Sequence, residues 1–576
     1  MNFAIPPSPN STLARAGDAG TISTMADGEN PNQVLTGNIV DVVGGRMFAG
    51  KIFLAGGRIA GVQAGGPPQA NAPWFLPGFV DAHVHVESSM LPPTEFARVA
   101  VVHGTVATVS DPHEIANVLG IPGVRWMLAD SQRAACKIFF GAPSCVPATS
   151  FETAGAKFGA KEVGELLDDP AVLYLSEVMN FPGVIFKDPL MVAIVAEAKK
   201  RGKRVDGHSP GVLGEDLKKY IAAGIETDHE CRTLEEARQR AALGMKVWIR
   251  EGSAARNFDA LWPLLLEAPE YCGFCSDDKH PDELLVSQID AMVRRAVANG
   301  VPPMTALRAA TLNPIKHYGL PVGLLQAGDP ADLIEVDNLT DFRVRRTWVN
   351  GRLVAEGGWP LTAFAPVMPV NFFRAGPKKP ADFALRAEPG KKMRVIEALD
   401  GQIFTGETVE LPLVTKEGFV ACDPARDLLK LTVVNRYENA PPAVALVRNF
   451  GLKQGALASS VAHDSHNVVA VGANDEDLAR AVNLVIEHGG GLSFAGGRVE
   501  KVLPLAIAGL MSTGKAQEVG AAYKELSDLA RGAGCGLRAP YMCLSFLALL
   551  VIPQLKLGDR GLFDVGKFKL VSPWAE

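Results

Sequence analysis

The 576-residue sequence lacks the features that mark secreted, membrane or nucleic-acid-binding proteins. Its eight cysteines are scattered, so we expect a reducing, cytoplasmic location and no disulfide framework. The net charge of −6 offers no basic surface for nucleic acid or for an anionic membrane. The most apolar run, residues 541–555, is shorter than the about 20 residues that cross a bilayer and contains Pro553, so we expect it in the core. The N-terminus also lacks the basic and apolar regions of a signal peptide.

Composition changes along the chain predict a tail and three structural units. Residues 1–30 are rich in Pro, Ser, Asn and Gly and predict a flexible N-terminal tail. Residues 31–76 and 316–366 contain short β-rich runs separated by glycine pairs, which predict one small β domain split by an insertion. Residues 77–315 form that insertion, and residues 367–576 predict an additional C-terminal α+β domain after a proline-rich segment.

Eight short β-rich runs alternate with segments of helical period between residues 77 and 315. The runs read FVDAHVHV, TVATVS, KIFFGAPSCV, AVLYLSEV, KRVDGHS, IETDHE, MKVWIREG and YCGFCSD. This alternation predicts an α/β fold class with a (β/α)₈ TIM-like barrel. In such barrels the active site lies at the C-terminal ends of the strands, so the last residues of each run are candidate site residues.

Histidines and acids stand at most of these strand ends. His83 and His85 face the same side of their strand because side chains alternate, so both can bind one ion. Imidazole and carboxylate ligands suit Zn, Fe or Mn. The set exceeds the three protein ligands of one catalytic site, so it predicts two divalent ions with Glu177 between them. In chain order, the strand-end residues are His83, His85, Asp111, His113, Glu114, Glu177, His208, His229, Arg250, Glu251, Ser253, Asp277 and Asp278.

Each of these features has a purely structural alternative. A lone His-x-His pair is more often incidental than metal-binding. Asp111 and Pro112 are typical of a helix start, with Glu114 as partner in a capping box. Glu177 can equally be a buried structural acid. The prediction of a metal site therefore depends on the presence of histidines and acids at most of the strand ends, and not on any single motif.

A second polar cluster lies in the C-terminal region, at the sequence AHDSH. His463, Asp464 and His466 can reach over the barrel mouth, bind a further ion, or form only a hydrogen-bonded turn. The sequence leaves these three interpretations open.

The motifs in these positions resemble a known family. PGFVDAHVHVESSM resembles the first-strand signature of the amidohydrolase superfamily, and its ESSM continuation resembles the bacterial adenine deaminases. SDPHEIANVLG, SEVMN, GHSPGVLG, AGIETDHE, REGSAARN and CSDD resemble that family at successive positions, and VAHDSHNVVAVGANDEDLARAV resembles its extra C-terminal domain. The resemblance implies hydrolytic deamination of adenine to hypoxanthine and ammonia by a metal-bridging hydroxide, a reaction of purine salvage.

The resemblance also implies roles for individual residues. The implied metal ligands are His83, His85, Glu177, His208, His229 and Asp277, with Glu177 in the place where other superfamily members use a carboxylated lysine. From the chemistry of the reaction we expect Asp277, Glu177, Glu114, His113 and Asp111 as catalytic residues and Glu87, Arg250, Glu251 and Ser253 as purine-binding residues, although Arg250, Glu251 and Ser253 can equally only close the barrel rim. Glu177, Glu114 and Glu87 are alternative donors of the proton that adenine needs on N1.

Cofactors and partners complete the expectation. We expect two divalent ions, manganese first with iron or zinc as alternatives, and adenine as the small-molecule partner. We expect no nucleic-acid or membrane partner. We expect the chain to form a homo-oligomer, as a dimer. Two other functions stay open: another amidohydrolase, such as a different nucleobase deaminase or a cyclic imidase, and a non-catalytic metal-binding scaffold.

Overall fold

The computed structural model describes residues 32–575, and the predicted tail at residues 1–30 lies outside them. The described chain begins with a sheet in which the first two strands pair antiparallel, the third pairs with the second, and the fourth runs parallel to the first. Its buried face is built from alternating apolar residues such as Leu35, Ile39, Ile52 and Leu54. These strands are β1 (Gln33–Asp41), β2 (Arg46–Ala55), β3 (Arg58–Gly66) and β4 (Trp74–Pro77).

Eight parallel strands follow within the described residues, and each lies in one of the eight predicted runs. The first five form one sheet and the last three a second, and a parallel bridge between Val84 and Asp277 joins the end of the eighth strand to the first. The predicted barrel is thereby confirmed. The strands are β5 (Phe79–Val84), β6 (Thr105–Ser110), β7 (Lys137–Ala142), β8 (Val172–Val178), β9 (Val205–Gly207), β10 (Thr227–Asp228), β11 (Lys246–Arg250) and β12 (Cys272–Cys275).

Helices connect these strands and begin at residues suited to the position. Asp188 accepts hydrogen bonds from the backbone N–H groups of Leu190 and Met191, directly before Pro189 opens its helix. The helices are α1 (Pro93–Ala100), α2 (His113–Leu119), α3 (Ile121–Ser131), α4 (Ala160–Leu167), α5 (Phe181–Ile185), α6 (Pro189–Lys200), α7 (Gly214–Ala222), α8 (Leu234–Ala242), α9 (Phe258–Leu261), α10 (Leu264–Glu267), α11 (Pro281–Leu284), α12 (Ile289–Ala298), α13 (Pro303–Ala310) and α14 (Leu312–Tyr318).

After the barrel the chain returns to the first sheet. The new strands extend it from β4, so one eight-stranded sheet contains segments from both flanks of the barrel. These strands are β13 (Leu333–Val336), β14 (Val344–Val349), β15 (Arg352–Glu356) and β16 (Trp359–Pro360).

The C-terminal region is a mixed α/β unit built on a second eight-stranded sheet, which confirms the additional domain expected there. Its helices are α15 (Asp475–Glu487), α16 (Ala516–Gly532) and α17 (Pro540–Phe546). Its strands are β17 (Met393–Ala398), β18 (Thr405–Glu410), β19 (Leu413–Val414), β20 (Val420–Ala421), β21 (Leu429–Val434), β22 (Ala443–Arg448), β23 (Ala456–Ser459), β24 (Val468–Gly472), β25 (Gly491–Gly496), β26 (Val499–Pro504), β27 (Leu555–Gly558), β28 (Gly561–Asp564) and β29 (Lys569–Leu570).

The C-terminal region packs directly on the barrel. The backbone N–H of Ala516 donates to the Glu95 carboxylate at 2.9 Å, and that of Thr153 donates to Asp559 at 2.9 Å. The apolar run at residues 541–555 is buried in this region, as expected from its composition. Among the helices of residues 32–575, none combines the length and the apolar character needed to span a bilayer.

A lysine is buried inside the C-terminal region. Lys556 lies on β27, and its ammonium donates to the backbone carbonyls of Ile403 and Phe546, each at 2.8 Å. In the described part of the chain no carboxylate forms an ion pair with Lys556, so burial lowers its pKa from 10.5 to about 7. The unfolded chain, with an ordinary lysine, therefore binds more protons than the folded chain between these two values.

This difference predicts that stability rises with pH. The free energy of unfolding of the wild type, minus that of Lys556→Met, should increase by roughly 1.4 kcal/mol per pH unit from about pH 7 toward pH 10. Urea unfolding at pH 7, 8 and 9 measures this slope. Lys567→Met, which removes an exposed lysine near the same hairpin, is the control and should leave the slope unchanged. If the free energy of unfolding changed equally with pH in the wild type and in Lys556→Met, the lowered pKa of the buried lysine would be contradicted.

Candidate metal centre

The six residues expected as metal ligands meet at one end of the barrel. Each lies in, or within two residues after, the C-terminal part of its strand, and each exposes at most 6% of its surface. Parallel strands bring their C-terminal ends to one rim, so positions far apart in sequence share one pocket. The six are His83, His85, Glu177, His208, His229 and Asp277.

Three of these residues form a first group. The Nε2 atoms of His83 and His85 are 3.1 Å apart, and Asp277 Oδ1 lies 3.5 Å from the first and 3.1 Å from the second. Ligand atoms about 2.0–2.2 Å from a common ion have comparable separations from one another. The spacing of this group therefore fits one divalent cation.

Glu177 connects this group to a second one. Its Oε1 lies 3.4 Å from His85 Nε2, whereas its Oε2 lies 3.0 Å from His208 Nδ1 and 3.2 Å from His229 Nε2. The two carboxylate oxygens therefore face two different groups of histidines. A carboxylate in this position can contact two ions at once.

The charge of the cluster also fits cations. With neutral histidines, the carboxylates Glu177, Glu230 and Asp277 and the guanidinium of Arg250 sum to −3 + 1 = −2, all of it buried. Uncompensated buried charge is expensive, so the cluster attracts positive charge. Burial alone would lower the pKa of His208, yet Glu230 and Glu177 outweigh it and raise that pKa to about 9. Divalent ions satisfy the same demand through neutral imidazole ligands.

Glu230 belongs to this cluster, and sequence reasoning missed it. Its Oε1 lies 3.4 Å from both His208 Nδ1 and His229 Nε2, and its carboxylate pairs with both terminal nitrogens of Arg250 at 2.5 and 3.0 Å. The available signal was its position directly after His229. An acid directly after a strand-end histidine can reach the same rim of the barrel, but only His229 was predicted to belong to the site.

Asp277 occupies an unusual backbone conformation. Its φ of 52° lies in the left-handed region, which aspartate tolerates better than most residues. Its N–H donates to the His83 carbonyl at 3.0 Å, which ties the end of β12 to β5. Burial would raise its pKa, but Arg250 and the nearby histidines outweigh burial and hold the pKa well below the usual range. Asp277 is thus an ionised carboxylate fixed in one orientation.

Asp111 and His113 lie beside the first group. Asp111 Oδ1 accepts hydrogen bonds from the His113 backbone N–H at 3.1 Å and from the Ser176 hydroxyl at 2.7 Å. Asp111 Oδ2 lies 3.0 Å from His113 Nδ1. Asp111 therefore orients the His113 ring and accepts the first N–H of α2, but Pro112 and not Asp111 is the N-cap, so the expected capping box with Glu114 does not form.

Glu114 contacts the C-terminal region rather than capping its own helix. His463 Nδ1 lies 2.7 Å from Glu114 Oε1, and His466 Nε2 bonds to Glu114 Oε2. His466 Nδ1 accepts from the Ala462 N–H at 3.2 Å, so the proton on Nε2 points at the carboxylate. Burial would raise the pKa of Glu114, but His463, His466 and His113 outweigh it and hold that pKa well below the usual range.

The strand-end acids and histidines line a narrow cavity. Its enclosed volume is about 20 Å³, so a ligand larger than a water molecule requires the covering C-terminal residues Ile403, Phe546 and Leu549 to shift. The remaining lining residues are His85, His113, Glu114, Glu177, Met179, His208, His229, Glu230, Arg250, Asp277, Asp278, His463 and Asp464.

Three residues expected to bind the purine lie elsewhere in the described structure. Glu251 pairs with Arg295 at 2.5 Å, and the Ser253 hydroxyl donates to Glu283 at 2.9 Å, so both side chains point away from the cavity. Glu87 is buried behind the cavity, where it accepts a hydrogen bond from the Ile115 N–H at 3.3 Å. Burial raises the pKa of Glu87 to about 8.

A buried ion pair positions the second histidine group. Arg240 on α8 bonds to Asp228, which directly precedes His229, and donates to the Ser209 carbonyl, directly after His208, at 2.7 Å. Asp228 Oδ1 also accepts from the Ser209 N–H at 3.0 Å. Arg240 and Asp228 are both fully buried. The pair therefore connects the two strand ends that present His208 and His229.

Two protein families and several full-length relatives match this chain. Residues 402–569 match the family described as adenine deaminase C-terminal domain, and residues 74–354 match the amidohydrolase family. The chain is 53% identical over 546 residues to an adenine deaminase from Salinibacter ruber, covering 94% of this chain and 99% of that protein. It is 52% identical to an adenine deaminase from Sulfurovum sp. (93% and 98% covered) and 47% to one from Methanosarcina mazei (94% and 99%).

The Arg240–Asp228 pair generates a stability prediction. Arg240→Met should lower the free energy of unfolding by about 3–5 kcal/mol, because Asp228 is left as an uncompensated buried charge. Arg238→Met is the matched control, since Arg238 lies on the same helix and pairs with Glu267 at the surface, where little change is expected. Urea unfolding of both variants measures the difference. Equal stability of the two variants would contradict the positioning role of the buried pair.

Proposed function

Because this chain belongs to the adenine deaminase family, we propose that it hydrolyses adenine to hypoxanthine and ammonia, as in purine salvage. The observation that carries the proposal is Glu177, whose two oxygens face two groups of buried histidines inside a cavity covered by the C-terminal region. This is the geometry that hydrolysis at a pair of ions requires.

We assign the ions to the two groups of side chains. His83, His85 and Asp277 would hold one ion, His208 and His229 the other, and Glu177 would contact both. Manganese is our first choice, with iron and zinc as alternatives that imidazole and carboxylate ligands also suit. When bound, two such ions polarise a water molecule and lower its pKa toward neutrality, which supplies a nucleophile at pH 7.

Asp277 is the proton carrier in this proposal. Its Oδ1 faces His83 and His85, its Oδ2 accepts from Arg250 Nη1 at 2.8 Å, and its low pKa keeps it ionised before reaction. It accepts the proton of the attacking water and delivers a proton to the departing amine, which leaves as ammonia. Such general acid–base work contributes about 10²–10⁴-fold to the rate.

The other cavity residues orient and enclose the purine. Asp111 fixes the His113 ring, and His463 and His466 fix Glu114, so these polar groups need little reorganisation when a base binds. Adenine also needs a proton on N1, because addition at C6 places negative charge on the ring. Glu114 and Glu177 line the cavity but their neighbouring histidines hold both pKa values low, whereas Glu87 lies behind the cavity with its pKa raised by burial to about 8, so all three stay candidates.

We infer two properties of the whole protein from the sequence. We infer a reducing, cytoplasmic location, because the eight cysteines are free thiols. A homo-oligomer, as a dimer, is the expected assembly, and light scattering of the purified protein measures it.

Substitution of Asp277 tests the reaction. Asp277→Asn should lower kcat on adenine by at least about 10²-fold, because the amide cannot carry the proton. Asp259→Asn, at an exposed acid of the barrel, is the control and should keep normal turnover. Release of ammonia and the ultraviolet change from adenine to hypoxanthine are the readouts. If the wild-type protein did not deaminate adenine but hydrolysed guanine, cytosine or a hydantoin, the proposed substrate would be contradicted.

Metal removal tests the ion assignment. Dialysis against a chelator should abolish deamination, and addition of Mn²⁺ should restore it at roughly two equivalents per chain. Metal analysis of His83→Ala and His229→Ala should each show a loss of metal relative to the wild type. Full activity of the chelated protein, with no bound metal remaining, would exclude the metal centre.

A further inference from the structure

We propose that Asp464, supplied by the C-terminal region, selects the free purine base by accepting the N–H of its five-membered ring. The inference rests on the proposed deamination of adenine and deepens it. It gives the AHDSH segment a task beyond holding Glu114.

One carboxylate oxygen of Asp464 has no donor among the described residues. Only 2% of its surface is exposed, and it lines the cavity. Within residues 32–575, its Oδ2 is completely enclosed and has no hydrogen-bond partner. The nearest nitrogens, His113 Nε2 and His463 Nδ1, are each 3.8 Å from its Oδ1.

Both neighbouring imidazoles have closer acceptors. His113 Nε2 is 3.4 Å from Glu114 Oε1, and His463 Nδ1 is 2.7 Å from the same oxygen. A buried carboxylate without a donor is costly, so such a group in a binding cavity indicates a ligand that brings the donor.

The surroundings of Asp464 fit a flat aromatic ligand. The rings of His463 and Phe546 are stacked, with centroids 4.4 Å apart and planes within 10°, and Leu549 and Ile403 complete an apolar wall. Apolar walls with one acceptor of hydrogen bonds suit a heterocycle that carries a single ring N–H. Free adenine carries its ring N–H on the five-membered ring.

The position of Asp464 also fits the orientation that deamination requires. C6 and its amine must face Glu177 and Asp277, so the five-membered ring points away from the metal centre. His113 lies between the two regions: its Nδ1 is 3.5 Å from Glu177 Oε1 and its Nε2 is 3.8 Å from Asp464 Oδ1. One imidazole ring thus separates Glu177 from Asp464.

Asp464 would therefore discriminate a base from its nucleoside. A substituent on N9 removes the N–H, leaves the carboxylate without a donor, and places bulk against the C-terminal cover. Sites built around a buried hydrogen-bonding group reject analogues that lack the partner group by factors up to about 10⁴–10⁵.

The test compares adenine with 9-methyladenine in the full-length, Mn²⁺-loaded enzyme. Asp464→Ala should lower kcat/KM for adenine roughly 10–100-fold, chiefly through KM, because one hydrogen bond to a charged group is lost. The preference for adenine over 9-methyladenine should shrink by a factor of about 10 or more. Asp464→Asn retains an acceptor oxygen and should keep an intermediate preference. Asp528→Asn, at an exposed acid of the same region, should match the wild type.

Two measurements separate this role from others. Thermal unfolding checks that the variants fold, and metal analysis should find the wild-type content in both Asp464 variants. An unchanged preference in Asp464→Ala would overturn the proposal. So would the loss of a metal equivalent, because Asp464 would then be an ion ligand with Glu114 and His113, whose donor atoms also lie close enough to share an ion.

Binding keeps this test independent of the proposed function. Calorimetry on Asp277→Asn should show tighter binding of adenine than of 9-methyladenine, and that preference should be reduced in Asp277→Asn combined with Asp464→Ala. A wild-type chain that binds adenine with this preference but does not deaminate it would overturn the proposed function and support the role of Asp464. Equal binding of the two bases would overturn the role of Asp464 alone.

Discussion

The carboxylate of Glu177, buried between two groups of histidines, is the constraint on which the site depends. A carboxylate in this interior is stable only if positive charge or hydrogen-bond donors compensate it. The neighbouring acids Glu230 and Asp277 increase that demand, and Arg250 meets only part of it. The barrel supplies this arrangement at its C-terminal rim, where the ends of different strands converge.

The C-terminal region is a structural part of this centre. Glu114 belongs to the barrel, but its two oxygens are held by His463 and His466, about 350 positions later in the chain. Ile403, Phe546 and Leu549 add the apolar wall on the same side. The cavity therefore has a polar floor from the barrel and a partly apolar roof from the C-terminal region.

Much of this architecture was predictable because local sequence determines it. The run TVATVS coincides with β6, since buried parallel strands are short, continuous and β-branched. FVDAHVHV extends two residues beyond β5, because the chain turns at His85 into a short 3₁₀ segment over Val86–Ser89. The strand-end rule included His83, His85, Glu177, His208, His229 and Asp277 among its candidates, the family resemblance singled them out as ligands, and the structure places these six together.

The remainder depended on contacts that sequence spacing does not encode. Glu251 and Ser253 follow β11 as the ligands follow their strands, but the chain bends there, and Glu251 pairs back with Arg256 in an isolated bridge. Glu230 directly follows His229, but its pairing with Arg250 depends on the folded barrel and not on sequence spacing. The pairing of Glu114 with His463 and His466 required the packing of two distant regions.

The roof of the cavity has a consequence for the order of assembly. Synthesis proceeds from the N-terminus, so every barrel residue of the centre emerges before the segment around His463, and that segment before Phe546 and Leu549. Until the C-terminal region has been synthesised and docks, the carboxylates and imidazoles of the rim are exposed to solvent, and metal ions can diffuse to them. The enclosed chamber exists only after the last part of the polypeptide has docked on the barrel.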